Sequence, residues 1–461
     1  MNPLDFTRQL DGLTRRQFVQ GAAATAAAFA IPAWAQEAAQ PAENAPELAV
    51  AIIGVGSQGG NLLNNCLKIP GIRFVAVCDI WPYWLERYKK LLKRYDMDVN
   101  TYVDYQDMLA KEKNIDAVIV ATPDWVHAEQ TNACLKAGKH VYCEKEMSNT
   151  LEGAASMVKA ARETGKLLQI GHQRRSNPRY WHALKLIGKD KILGRITHFY
   201  GQWNRVELLK RDWPQKYELD ADTLSRYGYG NMRELRNWRW YRKYSGGPIC
   251  DLGSHQIDVF NWVLQTQPKA VLASGGVDYY GKPATIEPGQ EDYYESEWYD
   301  NIMSIYEYQI PEGTVRGFYQ VLNTTSNGGF YETFMGDQGT LTISEDKRKG
   351  YFFRELKADK KDWEEESETK TVDGQETFEL KIGETLTPDG SKDPESQKLL
   401  DETKKPEHQL HLENFFNAVR TGTPLSCPPE IGYETAVSVM KVNDAVAAGK
   451  KLEFSPSEFK V

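Results

Sequence analysis

Gly54-Val55-Gly56-Ser57-Gln58-Gly59 follows the apolar run Leu48–Ile53 and opens a helical pattern, a spacing that builds a pyrophosphate site. Gly54 permits the tight turn, Gly56 lets the backbone approach the phosphates, and Gly59 lets helix and strand pack closely. Ser57 and Gln58 lie where the helix N-terminus offers free N–H groups and the positive end of its dipole. Asp79 lies twenty residues beyond Gly59, at the end of the second apolar run Phe74–Cys78. There a carboxylate accepts both hydroxyls of an adenosine ribose and repels a 2′-phosphate, so the expected cofactor is NAD rather than NADP.

Asp251 and His255 are four residues apart. On a helix they share one face, so the carboxylate can orient the imidazole while the imidazole meets a substrate hydroxyl. The alternative is structural, with Asp251 as a helix cap and His255 packed in a core. Oxidising a secondary alcohol needs a base for the O–H proton and an acceptor for hydride, and histidine titrates in the right range to be the base.

These groups must be positioned by a particular order of elements. Apolar runs Leu48–Ile53, Phe74–Cys78, Ala117–Ala121, His140–Cys143 and Leu167–Ile170 are separated by helical patterns. That alternation predicts a doubly wound parallel sheet, a Rossmann domain over residues 48–171. Thr122, Pro123 and His127 follow the third of these strands that border the crevice, where a nicotinamide ribose would pass, and join the expected cofactor contacts. Beyond Gly171, Ile196–Trp203, Ile302–Tyr308, Val315–Leu322 and Thr340–Ile343 read as strands with few crossover helices between them. They predict a second α/β domain, residues 172–461, with a mostly antiparallel sheet. Lys357–Pro406 is polar and punctuated, and reads as a surface excursion; His408–Ala447 is helical and is expected to close the second domain.

The chain has 461 residues and a formal charge of −8, with no dense basic block, which argues against nucleic acid as a partner. Residues 1–35 read as an export signal: Arg15-Arg16 within Thr14–Val19, a short apolar run Gly21–Ile31, and Ala33-Trp34-Ala35 for cleavage. The apolar run is shorter than the roughly 20 residues that span a bilayer. The expectation is a periplasmic protein with no stable membrane insertion after processing, joined by a linker over 36–47. Folded export and the absence of a free nicotinamide pool outside the cytoplasm imply a tightly bound cofactor, regenerated in place. The six cysteines form no C-x-x-C pair, so no metal site is expected; Cys66, Cys78, Cys134 and Cys143 read as buried small hydrophobes.

Ala121-Thr122-Pro123, Glu144-Lys145-Glu146 and Gly246–Asp258 carry a resemblance to the Gfo/Idh/MocA oxidoreductases, which act mostly on sugars and cyclitols. It runs from about Leu48 to the C-terminus and implies a large open sheet in the second domain. Glu144 and Lys145 match the family's Glu-Lys-Pro motif, and Glu146 stands where the family has proline; without proline a cis bond there is costly. The resemblance implies that Lys145 lies by the nicotinamide and the reacting oxygen, and that Asp251 and His255 face the substrate, Asp251 fixing the His255 tautomer. Glu144, Lys145 and Gln173 are expected cofactor contacts; Arg174, Trp203, Asn204 and Trp238 are expected substrate contacts. Family members commonly pair through the open sheet, so a homo-oligomer is expected.

The function expected is hydride transfer between bound NAD and a sugar, glycoside or cyclitol hydroxyl. A close alternative is a glycoside hydrolase that oxidises a ring hydroxyl transiently, eliminates the aglycone and returns the hydride. A non-catalytic sugar sensor with a structural dinucleotide is the reading from a different class.

Overall fold

The structure, a computed structural model, describes residues 46–206, 211–280, 282, 296–360, 364, 368–379 and 401–461. The expected signal segment and nearly all of the linker lie outside the described residues.

Strand β1 (Leu48–Ile53) is buried along its whole length, as an unbroken apolar run must be when both faces are covered. It lies in a six-stranded parallel sheet of order β3-β2-β1-β4-β5-β6. The other strands are β2 (Ile72–Cys78), β3 (Asn100–Tyr102), β4 (Ala117–Val120), β5 (His140–Cys143) and β6 (Leu168–Ile170). Helices α1 (Ser57–Cys66), α2 (Pro82–Lys93), α3 (Tyr105–Lys111), α4 (Asp124–Lys136) and α5 (Leu151–Thr164) make the crossovers. The strand order reverses between β1 and β4, which opens a crevice at their carboxyl ends. Gly54, Asp79 and Glu144 are the first residues after β1, β2 and β5, so the sheet delivers all three to that edge.

After α6 (Pro178–Gly188) and β7 (Ile196–Asn204), a long excursion leads to α7 (Ser254–Leu264). The remaining strands are β8 (Pro268–Gly276), β9 (Asn301–Ile310), β10 (Gly313–Leu322), β11 (Phe330–Gly336), β12 (Gly339–Ile343), β13 (Gly350–Arg354), β14 (Thr369–Val372) and β15 (Gln375–Glu379). With β16 (Leu452–Glu453) they form a ten-stranded sheet of order β14-β15-β13-β12-β11-β7-β10-β9-β8-β16. Every neighbouring pair is antiparallel except β7 with β10. One face is apolar: Phe199, Val315, Tyr319 and Phe334 pack under Phe260 of α7 and under α9 (Pro429–Ala448). Among the described residues nothing covers the other face, where Leu272 and Ile305 are exposed.

Two segments differ from expectation. α8 (Glu407–Thr421), read from sequence as closing the second domain, packs Leu412, Phe415 and Phe416 against Val50, Leu62 and Tyr142 of the first. Helical periodicity reports an apolar face and not which sheet receives it. Within the supposed surface excursion, β14 and β15 form a hairpin that extends the sheet beyond β13. Its turn is Asp373-Gly374, both at positive φ, the geometry a two-residue hairpin requires.

Candidate active site

A cavity of about 690 Å³ runs along the crevice and is lined by both domains, within the size range of small-molecule sites. At one end stand Gly54, Gly56, Ser57, Gln58 and Asp79; Thr122, Pro123, Glu144 and Gln173 follow; Lys145, Trp203, Trp238, Asp251 and His255 form the other end. The structure thus brings together most of the residues the sequence singles out.

The glycine turn fits a dinucleotide. Gly54 has φ +84° and a Cβ there would meet the Ala121 carbonyl; a Cβ on Gly59 would overlap the Gly54 carbonyl oxygen. Gly59 therefore acts beneath the cavity, holding α1 against β1. A Cβ on Gly56 would make only an ordinary contact, with Trp84 Nε1 at 3.9 Å, and no side chain caps α1, which leaves the first N–H groups to an anion. Asp79 accepts from Val55 N (2.9 Å) and Trp81 N (2.9 Å) and borders the cavity. Burial raises its pKa to about 6, against the lowering effect of those two N–H groups. Glu144 is clamped by Gln173 Nε2 (2.8 Å), Gln58 Nε2 (3.1 Å) and, more loosely, the Tyr142 hydroxyl (3.4 Å). One carboxylate thus ties the first helix to the entrance of the second domain.

Lys145 Nζ donates to the Asp251 main-chain oxygen and approaches the Asp251 carboxylate at 3.4 Å. The Lys145–Glu146 peptide is cis. Asp251 stands in a π-helical turn, Ile249–Gly253, that leads into α7; such turns often mark functional sites. Its carboxylate also pairs with Arg239 (3.2 Å) and Arg205 (3.7 Å). Burial works against its ionisation, but Arg239, Lys145 and Arg205 outweigh that and hold the carboxyl below the ordinary range.

His255 packs beside the Trp203 ring, 5.4 Å between centroids, and its buried Nδ1 has no hydrogen-bond partner among the described residues. Burial, then the charges of Lys145 and Arg174, push its pKa well below 6.5. The imidazole is therefore neutral.

Four expectations are corrected by this geometry. Asp251 does not fix the His255 tautomer: three cations take its carboxylate, and it positions Lys145 instead. Arg174 does not border the cavity; its side chain is 1% exposed, paired with Glu332 and with Glu345 at 3.1 Å. Asn204 is turned away, donating to Asn327 O (2.9 Å) and accepting from Gln320. His127 is buried, with its two ring nitrogens 2.7 Å from the carbonyls of Glu146 and Thr122. It clamps the Lys145 loop to the loop after β4 rather than touching a cofactor.

Sequence reasoning missed Asp124, Trp81, Trp84, Trp125 and Arg236, all of which border the cavity. The signal available was aromatic density: Trp81, Tyr83 and Trp84 crowd directly behind Asp79. All six cysteines are buried and unpaired.

A glycine turn at the switch point of a parallel sheet, sharing one cavity with a buried lysine and with a neutral histidine from the second domain, defines a dinucleotide-binding fold and site. Residues 48–172 match the oxidoreductase family profile described as an NAD-binding Rossmann fold, and residues 217–454 match the companion C-terminal alpha/beta domain. The chain belongs to the Gfo/Idh/MocA oxidoreductase family.

An inositol 2-dehydrogenase from Salmonella typhimurium is 31% identical over 226 residues, 49% of this chain and 56% of that protein. A glycosyl hydrolase family 109 protein from Shewanella amazonensis is 29% identical over 285 residues, 56% of this chain and 60% of that protein. The matches thus span between half and two thirds of these curated relatives. The crystal structure of a levoglucosan dehydrogenase in complex with NADH superposes with a TM-score of 0.62 at 19% identity, covering 89% of this chain and 99% of that one. No helix among the described residues is long and apolar enough to cross a membrane.

Proposed function

We propose that this protein oxidises a secondary hydroxyl of a sugar, glycoside or cyclitol, with NAD held between turnovers. The observation that carries the reading is one cavity with a diphosphate turn and Asp79 at one end and Lys145, Asp251 and His255 at the other. When bound, the nicotinamide supplies the hydride acceptor. His255 borders the cavity beside Lys145 and Trp203 and, neutral there, takes the hydroxyl proton. Lys145 sets a positive charge where negative charge develops on the substrate oxygen, and Asp251 holds that charge in place. Trp203 and Trp238 offer flat faces to a sugar ring. A sugar or cyclitol deuterated at the oxidised carbon tests this: the label should be recovered on the reduced nucleotide after quenching, and its retention in the carbohydrate at full conversion would refute the reading.

The neutral base sets a pH dependence. At saturating NAD, kcat/KM for alcohol oxidation should stay level as pH falls through 6.5, because His255 needs no deprotonation there. The profile should bend at about 6, where Asp124 and Asp79, both raised by burial, take up protons. An acid limb centred above about 7 would assign the base to another group.

The relative named as a glycosyl hydrolase favours one further reading, transient oxidation followed by elimination and return of the hydride. Lys145 and His255 would serve it equally, and release of aglycone without accumulated reduced nucleotide would distinguish it.

We also propose export through the twin-arginine pattern, tested by periplasmic fractionation of Arg15→Lys/Arg16→Lys against the wild type. Pairing through the open sheet completes the proposal. Leu272, Ile305, Phe318 and Tyr200 face each other strand by strand across the uncovered side, and Leu272 and Ile305 are 42% and 44% exposed. Ile305→Lys should convert an oligomer to monomers in sedimentation, with the apo fold intact; an unchanged sedimentation coefficient would place the interface elsewhere.

A further inference from the structure

The dinucleotide end of the cavity is not walled by the Rossmann domain alone. Between β7 and α7 the chain crosses to the first domain and back, through two short helices, Ala221–Arg226 and Met232–Arg236. Its apolar side chains do not join the core of the second domain. Leu224, Tyr229, Met232 and Tyr244 form a separate cluster with Trp81, and Trp213, Tyr217 and Leu235 pack against it together with Tyr83, Trp84 and Trp125. The Rossmann members of that cluster lie just before and within the first turn of α2 and in the first turn of α4, the segments that follow β2 and β4 and frame the adenosine and ribose positions.

Polar contacts fasten the crossing at several points. Trp81 Nε1 donates to Tyr217 O (2.7 Å), the Tyr217 hydroxyl to Glu86 (2.8 Å), and Trp125 Nε1 to the Tyr229 hydroxyl (3.2 Å). Arg226 reaches Asp104 at 3.4 Å. A Cβ on Gly228, at φ +82°, would run into the Trp125 ring. Arg226, Tyr227, Tyr229 and Arg236 then border the cavity opposite Gly56 and Asp79. The Arg236 guanidinium lies over the Trp81 ring, 4.7 Å from its centroid, and its Nε is buried without a hydrogen-bond partner among the described residues.

We propose that Arg211–Tyr244 is a retaining strap that closes over the adenosine half of the bound dinucleotide, with Arg236 as its ligand-facing residue. The inference rests on the NAD reading above and deepens it. A dinucleotide lying between Gly56 and Lys145 would pass beneath the strap and could leave only by undocking it. The stacked Arg236–Trp81 pair offers a flat cationic wall suited to an adenine ring or to ribose and phosphate oxygens. The strap thus gives a physical basis for a cofactor that behaves as a prosthetic group: its docking energy is added to the barrier for release, which acts on the off-rate.

The test measures release from the full-length protein. Wild type, Arg236→Ala, Leu224→Ala and Leu224→Asp are loaded with NAD and passed through gel filtration in dinucleotide-free buffer, and the retained nucleotide is counted after denaturation. Dissociation is followed by tryptophan fluorescence on dilution, since Trp81 and Trp84 stand in the cavity wall. Leu224 is buried in the strap cluster and does not border the cavity, so it reports on docking alone.

Wild type should keep its dinucleotide, and the variants should release it at least about tenfold faster, each tenfold corresponding to ~1.4 kcal/mol. Leu224→Asp should regain wild-type turnover when NAD is supplied at saturation. Leu224→Ala covers the case in which the aspartate variant fails to fold, judged by far-UV circular dichroism. Release at the wild-type rate from all folded variants would overturn the strap while leaving the NAD reading intact, as would a wild type that loses its cofactor on the column. A wild type that takes up no dinucleotide at all would overturn both.

Discussion

Lys145→Ala is expected to lower kcat by about 10²–10³-fold, the cost of losing one preorganised charge at a developing oxyanion, with dinucleotide content unchanged. Lys145 stands at the catalytic end of the cavity, and its Nζ is fixed by both the main-chain oxygen and the carboxylate of Asp251. The glycine turn and Asp79 lie at the opposite end and keep their own contacts. Steady-state turnover paired with nucleotide counted after denaturation checks both halves of the statement. Loss of cofactor alongside activity would make Lys145 a binding residue instead. Asp251→Asn should follow Lys145→Ala in direction with smaller magnitude, because Asp251 acts by holding the lysine.

The largest stability effect belongs to a residue that sequence reading placed at the substrate. Arg174→Met should cost about 3–5 kcal/mol, the usual result of removing one partner from a buried ion pair. The Arg174 and Glu332 side chains are 1% and 0% exposed, Tyr180 donates to the same carboxylate at 2.7 Å, and the guanidinium lies 5.5 Å from the Trp203 ring centroid. Equilibrium urea unfolding measures the loss. Adding Glu332→Gln should return part of it, since no uncompensated charge is then buried. A rise in KM with stability unchanged would restore Arg174 to the substrate list.

What was readable from the sequence follows from what is local. The turn Gly54–Gly59 is specified by its own backbone needs and by the strand and helix on either side, and Asp79 by its place at a strand end. Strands β7 and β9 are legible by their alternation, because one face of that sheet is buried and the other is more exposed. Most of the misplaced polar side chains find partners distant in sequence. Arg174 finds Glu332 across 158 residues, and Lys145 finds Asp251 across 106. Nothing in the local pattern of either arginine or aspartate distinguishes an ion pair from a substrate contact. The strap was invisible for the same reason: its tryptophans and tyrosines have no strand or helix period, and they acquire a role only once they meet Trp81 and Trp125. Glu146, in a family position held by proline, is buried with one carboxylate oxygen unpartnered, and burial lifts its pKa to about 8.

The central claim is that the cavity turns bound NAD over at a carbohydrate hydroxyl. The most direct measurement is absorbance in the reduced-nicotinamide band of the purified, NAD-loaded protein as sugars, glycosides and cyclitols are added one at a time, with no free nucleotide present. The account predicts that at least one such polyol produces about one equivalent of reduced nucleotide per chain in a single turnover, and that His255→Ala abolishes the rise. Protein that holds NAD stoichiometrically yet shows neither reduction nor aglycone release across the panel would contradict it and leave the chain a dinucleotide-bearing binding protein.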